Sequence, residues 1–105
     1  PDVGKCGGLS EARKIAALAE IHYVPVAAHG VFSPLGTMAS AQFGASIPNF
    51  MIQEWARFLH PVINSIATPL PYRAGYLEIP DSPGLGVELK DDVLQELAAP
   101  GSLRL

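Results

Sequence analysis

The sequence predicts an α/β fold of the parallel-barrel type, and three observations predict it. Short apolar runs end on polar residues: Asp2 precedes the turn Val3-Gly4-Lys5-Cys6-Gly7-Gly8, His29 ends Val24-Pro25-Val26-Ala27-Ala28, and Glu54 ends Phe50-Met51-Ile52-Gln53. The intervals between these polar residues are 27 and 25 positions, close to the length of one strand–helix unit. Between them the chain carries helical patterns rather than further strands. In a parallel α/β barrel, successive strands end on one face, and that face carries the chemistry. An acid, an imidazole and a second acid would then meet there from three neighbouring strands.

The first helix follows Gly7-Gly8-Leu9. Ser10 is the expected N-cap, since its hydroxyl can accept from an unpaired N–H of the first turn. Glu11 suits the positive end of the helix dipole. Position 13 is Arg, so the reciprocal capping box is absent. Ala12, Ile15, Ala16 and Ala19 keep the i, i+3, i+4, i+7 spacing of a buried stripe, which Leu18, Ile21 and His22 widen. Val24 to Ala28 reads as a short buried strand. Pro25 has no N–H for a ladder, which places it among the strand's first residues. Ser33-Pro34 starts the second helix, serine as cap and proline at the first helical position. It is expected to run to about Phe43, with Gly44 ending it. Its small residues Gly36, Ala39, Ser40 and Ala41 allow a neighbouring backbone to approach. Ile47-Pro48-Asn49 turns the chain into the strand before Glu54.

Beyond Glu54 the pattern changes. Residues 56 to 74 hold three of the ten prolines and no strong periodicity, and read as an irregular connection with one short helix near Val62-Ile63. Tyr76 to Ile79 is an expected strand, Pro80 to Gly84 a turn, and Leu85 to Leu89 a second strand. Asp91 or Asp92 caps a last helix through Leu97, and Pro100-Gly101 ends it. The division is therefore residues 1–57, a partial barrel, and residues 58–105, an extension.

Composition narrows the function classes. The 105 residues are 49% hydrophobic and 16% charged. A small free-standing domain needs more polar residues to cover its high surface-to-volume ratio, so the balance predicts a piece of a larger body. The net charge of −3 offers no basic patch for nucleic acid. No apolar run approaches the roughly 20 residues that span a bilayer. A single cysteine, Cys6, excludes a disulfide framework within the chain and fits a cytoplasmic location.

Imidazole is the side chain best matched to proton transfer near neutral pH. A carboxylate on its other nitrogen fixes the tautomer and stabilises the imidazolium, so Asp2 and His29 are a candidate pair. A buried Glu54 could stay protonated and donate to a developing oxyanion. Each also has a plainer reading. Asp2 suits a turn, His29 suits a satisfied core histidine, and Glu54 suits an ion pair with Arg57 or Arg73. His22 and His60 read as helix surface and loop. Lys5 reads as a solvated lysine and Cys6 as a small buried thiol. Gly7-Gly8 lacks the lysine spacing of a P-loop and the full dinucleotide fingerprint. Trp55 reads as a packing residue or, beside Glu54, as a substrate contact.

Several segments resemble a known family. They are Pro1-Asp2 with Gly7-Gly8, the helix Ser10-Glu11-Ala12-Arg13-Lys14-Ile15-Ala16, Ala28-His29, Ser33-Pro34-Leu35-Gly36, Ile47-Pro48-Asn49-Phe50 through Gln53-Glu54, and Ile79 to Val87. Together the chain resembles the C-terminal part of the enolase superfamily. Within that superfamily it is similar to the mandelate racemase subgroup and to the sugar-acid (galactonate- or gluconate-like) dehydratases.

The resemblance implies the end of strand six through strand eight of a TIM-type (β/α) barrel. It also implies a C-terminal extension that would pack on a capping domain outside this chain. It implies proton abstraction α to a carboxylate with Mg²⁺ assistance, giving a 2-keto-3-deoxy acid by loss of the β-hydroxyl. Asp2 and His29 would be the dyad, and Glu54 the partner of the substrate carboxylate or enediolate. His29, Glu54 and Trp55 would contact a small sugar-acid substrate. The Mg²⁺ ligands of the family fall outside these residues, so no metal ligand is assigned here. Gly30-Val31-Phe32 occupy a stretch where substrate preference is often set. The parent enzyme is expected to be a homo-oligomer and the isolated chain inactive, since a full barrel takes roughly 250 residues. A racemase or epimerase of the same scaffold, and a non-catalytic fragment that only packs against a partner, are the alternatives.

Overall fold

The computed structural model describes residues 1–30, 33–56 and 61–98, with the backbone alone at 61 and 62. Val31, Phe32, Arg57, His60, Pro100 and the 57/58 division lie outside the described residues. The elements are α1 (Leu9–Ile21), β1 (Val26–Ala28), α2 (Pro34–Ala45), β2 (Phe50–Gln53), α3 (Pro61–Asn64), β3 (Tyr72–Arg73), β4 (Tyr76–Leu77) and α4 (Asp91–Leu97).

Helix α1 starts at Leu9, two residues earlier than a cap at Ser10 predicts. Gly8 is the N-cap and no side chain caps it, so Ser10 lies inside the first turn instead of closing it. Gly7 and Gly8 sit at φ 104° and 89°, a region that costs other residues strain. The glycine pair serves the turn that carries the chain from Asp2 into α1. In that turn the N–H groups of Lys5 and Cys6 both donate to the Asp2 carbonyl, at 3.0 and 2.9 Å. Ala12 and Ala16 are fully buried, but Ile15, Leu18 and Ile21 are 41%, 62% and 70% exposed, so the buried stripe is narrower than the sequence predicts.

The expected strand Val24–Ala28 shortens to β1, Val26–Ala28, and Pro25, which has no N–H for the ladder, precedes it rather than opening it. Helix α2 begins as expected: Pro34 is at its start and the Ser33 hydroxyl accepts from the Gly36 N–H. It continues past Phe43 to Ala45, because Gly44 is a packing residue and not a stop. The Phe50 ring lies against Gly44, and a Cβ there would come within 2.7 Å of it. Strand β2 covers Phe50–Gln53 and pairs parallel to β1, Val26 with Phe50 and Ala28 with Gln53, across an irregularity after Val26.

The core lies between α1, β1 and α2. Val3, Ala12, Ala16, Val26, Ala28 and Phe43 form one buried cluster. Phe43 is the largest of these side chains, and burying it is worth about 1.5–3 kcal/mol. Asn49 ties the layers together. Its Nδ2 donates to the carbonyls of Ala16 (3.0 Å) and Val24 (3.1 Å), and its own carbonyl accepts from Val26 N–H (2.8 Å).

The later residues are held differently. The expected helix near Val62-Ile63 is α3. The expected strand at Tyr76–Ile79 shortens to β4, which pairs antiparallel with β3, an element the sequence reading did not contain. Ala74 (φ 48°) and Gly75 (φ 91°) form the two-residue turn between them. Leu85–Leu89 is not a strand; only Leu89 makes a single bridge, to Ala67. Gly86 sits at φ 70° with Pro80 against it, which bends the segment out of extended geometry. Lys90 is the N-cap residue of α4 without a side-chain bond, and Asp91 and Asp92 occupy the first turn, so neither aspartate caps.

Candidate active site

Three backbone hydrogen bonds bring the ends of the strands together. His29 N–H donates to the Pro1 carbonyl (2.9 Å), Glu54 N–H to Ala28 (2.9 Å), and Ala56 N–H to Gly30 (3.1 Å). The segment Pro1-Asp2, the end of β1 and the end of β2 therefore lie side by side. The parallel ladder carries His29 and Glu54 to the same end, and the His29–Pro1 bond sets Asp2 beside them, as their spacing predicts.

The side chains meet. His29 Nδ1 is 2.8 Å from Asp2 Oδ2, a full hydrogen bond. His29 Nε2 is 3.6 Å from Glu54 Oε2, within ion-pair range. The Asp2 side chain is 12% exposed, His29 42% and Glu54 54%, so the set runs from a sheltered carboxylate to an open one, and Glu54 is not the buried acid the sequence predicts. Burial raises the Asp2 pKa, and hydrogen bonds from His29 and Lys5, with the charges of both, outweigh it. The net effect holds the carboxyl below its ordinary value of 3.8. Asp2 is thus an anion near neutral pH. An anion at Nδ1 keeps the ring proton there and turns Nε2 toward Glu54 and the open side.

Gly30 secures Glu54. Its N–H donates to Glu54 Oε2 at 3.2 Å. A Cβ on Gly30 would stand 1.8 Å from the Glu54 carbonyl oxygen, so no larger residue fits between the two strand ends. The sequence reading took Gly30 only as the start of a loop; a glycine directly after the histidine was the available signal. Lys5 is solvated as expected, with its side chain 74% exposed, and its Nζ also stands 3.4 Å from Asp2 Oδ2. Arg73 does not pair with Glu54. Trp55 packs edge-on against Tyr72, with ring centres 5.3 Å apart at 67°. It borders a groove of about 710 Å³ between β2, α2 and the β3–β4 hairpin, which Asp2, His29 and Glu54 do not line.

Among the described residues no three His, Cys, Asp or Glu side chains are grouped to hold a metal ion. Asp2, His29 and Glu54 engage one another in line and form no such cage. No described helix is long and apolar enough to cross a membrane.

Comparison with known proteins identifies the family of this fold. The sequence model described as enolase C-terminal domain-like matches residues 1–93. A D-xylonate dehydratase from Haloferax volcanii is 44% identical over 96 residues, which are 90% of this chain and 23% of that protein. A D-galactarolactone cycloisomerase from Agrobacterium fabrum is 36% identical over 95% of this chain and 29% of its own length. The crystal structure of a mandelate racemase/muconate lactonizing enzyme-like protein from Rubrobacter xylanophilus superposes with a TM-score of 0.84. That match is at 42% identity over 96% of this chain and 26% of the other. The chain thus spans about a quarter of the length of the curated relatives it matches.

Proposed function

Because the chain belongs to the enolase C-terminal domain-like family, we propose that it forms the C-terminal part of a sugar-acid dehydratase. In this reading Asp2, His29 and Glu54 serve the elimination. His29 is the proton carrier. Its Nε2 takes the proton α to the substrate carboxylate, or delivers one to the departing β-hydroxyl, which leaves as water. The resulting enol rearranges to the 2-keto-3-deoxy acid. Asp2 holds the tautomer that leaves Nε2 to act and stabilises the ring when it carries two protons. Glu54 donates to the substrate carboxylate, or to the enediolate that forms from it, when its carboxyl carries a proton. Trp55, expected as a substrate contact, packs on Tyr72 beside the groove that the three residues do not line, and it takes no part in this reading.

Mg²⁺, which the family generally uses, would have its ligands outside the described residues and would supply charge stabilisation to the enediolate when bound. The single observation that carries the reading is the 2.8 Å Asp2–His29 hydrogen bond with Glu54 on the other ring nitrogen. The D-xylonate dehydratase relative supports the substrate class.

The test supplies the full protein that carries this segment with Mg²⁺ and a panel of aldonic acids, and assays 2-keto-3-deoxy acids. No product from any member of the panel would overturn the reading. His29→Asn is expected to lower the rate about 10²–10⁴-fold; an unchanged rate removes His29 from the mechanism.

A second reading follows from the D-galactarolactone cycloisomerase relative. The same proton carrier would then serve an isomerisation or racemisation in which the hydroxyl stays. Solvent deuterium entering the α-position without loss of the hydroxyl separates the two.

A further inference from the structure

We infer that Lys5 is a positioning residue that shares the Asp2 carboxylate with His29 and so limits how strongly Asp2 holds a proton on the imidazole. The inference rests on the Asp2–His29 pair being the proton carrier proposed above, and it adds a third member that the sequence reading left in solvent.

The geometry is specific to one oxygen. Asp2 Oδ2 accepts from His29 Nδ1 at 2.8 Å and faces Lys5 Nζ at 3.4 Å. Asp2 Oδ1 is buried and has no hydrogen-bond partner among the described residues. Both cationic donors therefore draw on the same atom. The placement of Lys5 follows from the turn. Lys5 N–H and Cys6 N–H both close onto the Asp2 carbonyl, which folds residues 2 to 6 tightly and returns the lysine stem over the carboxylate three positions back. The lysine side chain is 74% exposed and the Asp2 side chain 12%. The lysine can therefore be exchanged without opening the core, while the carboxylate it touches is sheltered.

Among the described residues, other charged and titratable groups lie on three sides of the pair. Glu54 faces His29 Nε2 from the end of β2, on the side away from Asp2. Cys6 directs its thiol to the Gly8 carbonyl at 3.9 Å. On α1, Glu11 is paired with Lys14 at 2.6 Å. Among the described residues, Lys5 is the cation that meets Asp2 Oδ2 besides His29.

A positive charge beside the carboxylate opposes proton uptake by the Asp2–His29 pair, whichever of the two holds the proton. Removing it makes uptake easier and moves the midpoint to higher pH. For a pair with one exposed partner, the expected movement is about 0.2–0.7 of a pH unit. It should shrink at high ionic strength, where an exposed charge is screened.

The experiment follows the imidazole signals of the full protein by NMR as pH is varied, with His29 identified through His29→Asn. It compares Lys5→Met and Lys5→Arg with the unaltered protein, at low salt and at 0.5 M salt, roughly a fivefold excess over the ionic strength at which the Debye length is 10 Å. The midpoint should rise in K5M, return in K5R, and differ less between the two at high salt. Equal midpoints in K5M and the unaltered protein would overturn the inference. So would a rise in K5M that K5R does not reverse, since that marks a packing effect. No substrate is needed, so the result stands apart from the dehydratase assay. Where turnover is measured, the acid limb of kcat/KM should move upward with the NMR midpoint; a fall in kcat at all pH values with no movement of that limb counts against the inference.

Discussion

Residues 1–56 and residues 61–98 hold their backbones in two different ways. The first stretch wraps α1 and α2 around β1 and buries Val3, Ala12, Ala16, Val26, Ala28, Met38, Ala41 and Phe43. The second buries Ala67 alone among its described hydrophobic residues. Its order comes from local bonds: the β3–β4 hairpin, the Ala67–Leu89 bridge, and hydrogen bonds from Thr68 to Glu88 and from Lys90 to Ile66. Helix α4 has no buried residue at all. Backbone hydrogen bonds define a shape, but each is worth little net because water competes for the same groups. Apolar burial supplies most of the stability. The three proposed catalytic residues all lie in the stretch with a core.

The contrast is sharpest at Phe43. Phe43→Ala should cost about 3–5 kcal/mol, because it removes the largest buried side chain and leaves a cavity between α1 and β1. Urea denaturation of the 105-residue chain measures it, and a loss below about 1 kcal/mol would mean that the cluster around Phe43 is not what holds residues 1–56. Asn49→Ala comes next. It deletes two hydrogen bonds, to Ala16 and Val24, at about 0.5–1.5 kcal/mol each. The same titration checks it, and amide exchange should quicken first at Val26, whose N–H is bonded to the Asn49 carbonyl. The smallest effect belongs to the other region. Leu97 is 51% exposed on α4, so Leu97→Ala should change stability by no more than about 0.5 kcal/mol. A cost matching that of Phe43→Ala would erase the distinction between the two stretches.

Legibility divides along the same line. Helices α1 and α2 and strands β1 and β2 were readable because apolar periodicity, a Ser-Pro start and β-branched runs are local signals. Phe50–Gln53 matches the expected strand to the residue. Where local rules competed, they misled. Ser10 resembled a cap, but Gly8 reaches the required backbone geometry more easily. Gly44 resembled a stop, but its missing Cβ makes room for Phe50. In the later residues Leu85–Leu89 has the composition of a strand and no partner to pair with, and Tyr72–Arg73 pairs in a hairpin whose turn begins with alanine, an unusual residue at φ 48°.

The amino-acid sequence alone determined the α/β pattern and the intervals that bring Asp2, His29 and Glu54 to one end of parallel strands. Strand and helix periods are properties of neighbouring residues, and a repeat near the length of one strand–helix unit returns the chain to the same edge. Tertiary structure alone decided which oxygen of Asp2 the ring and Lys5 share, that Gly30 must lack a Cβ, and that Asn49 joins α1 to the strands. Those contacts depend on how turns and crossovers set distances between residues far apart in the chain, and no local pattern encodes that geometry.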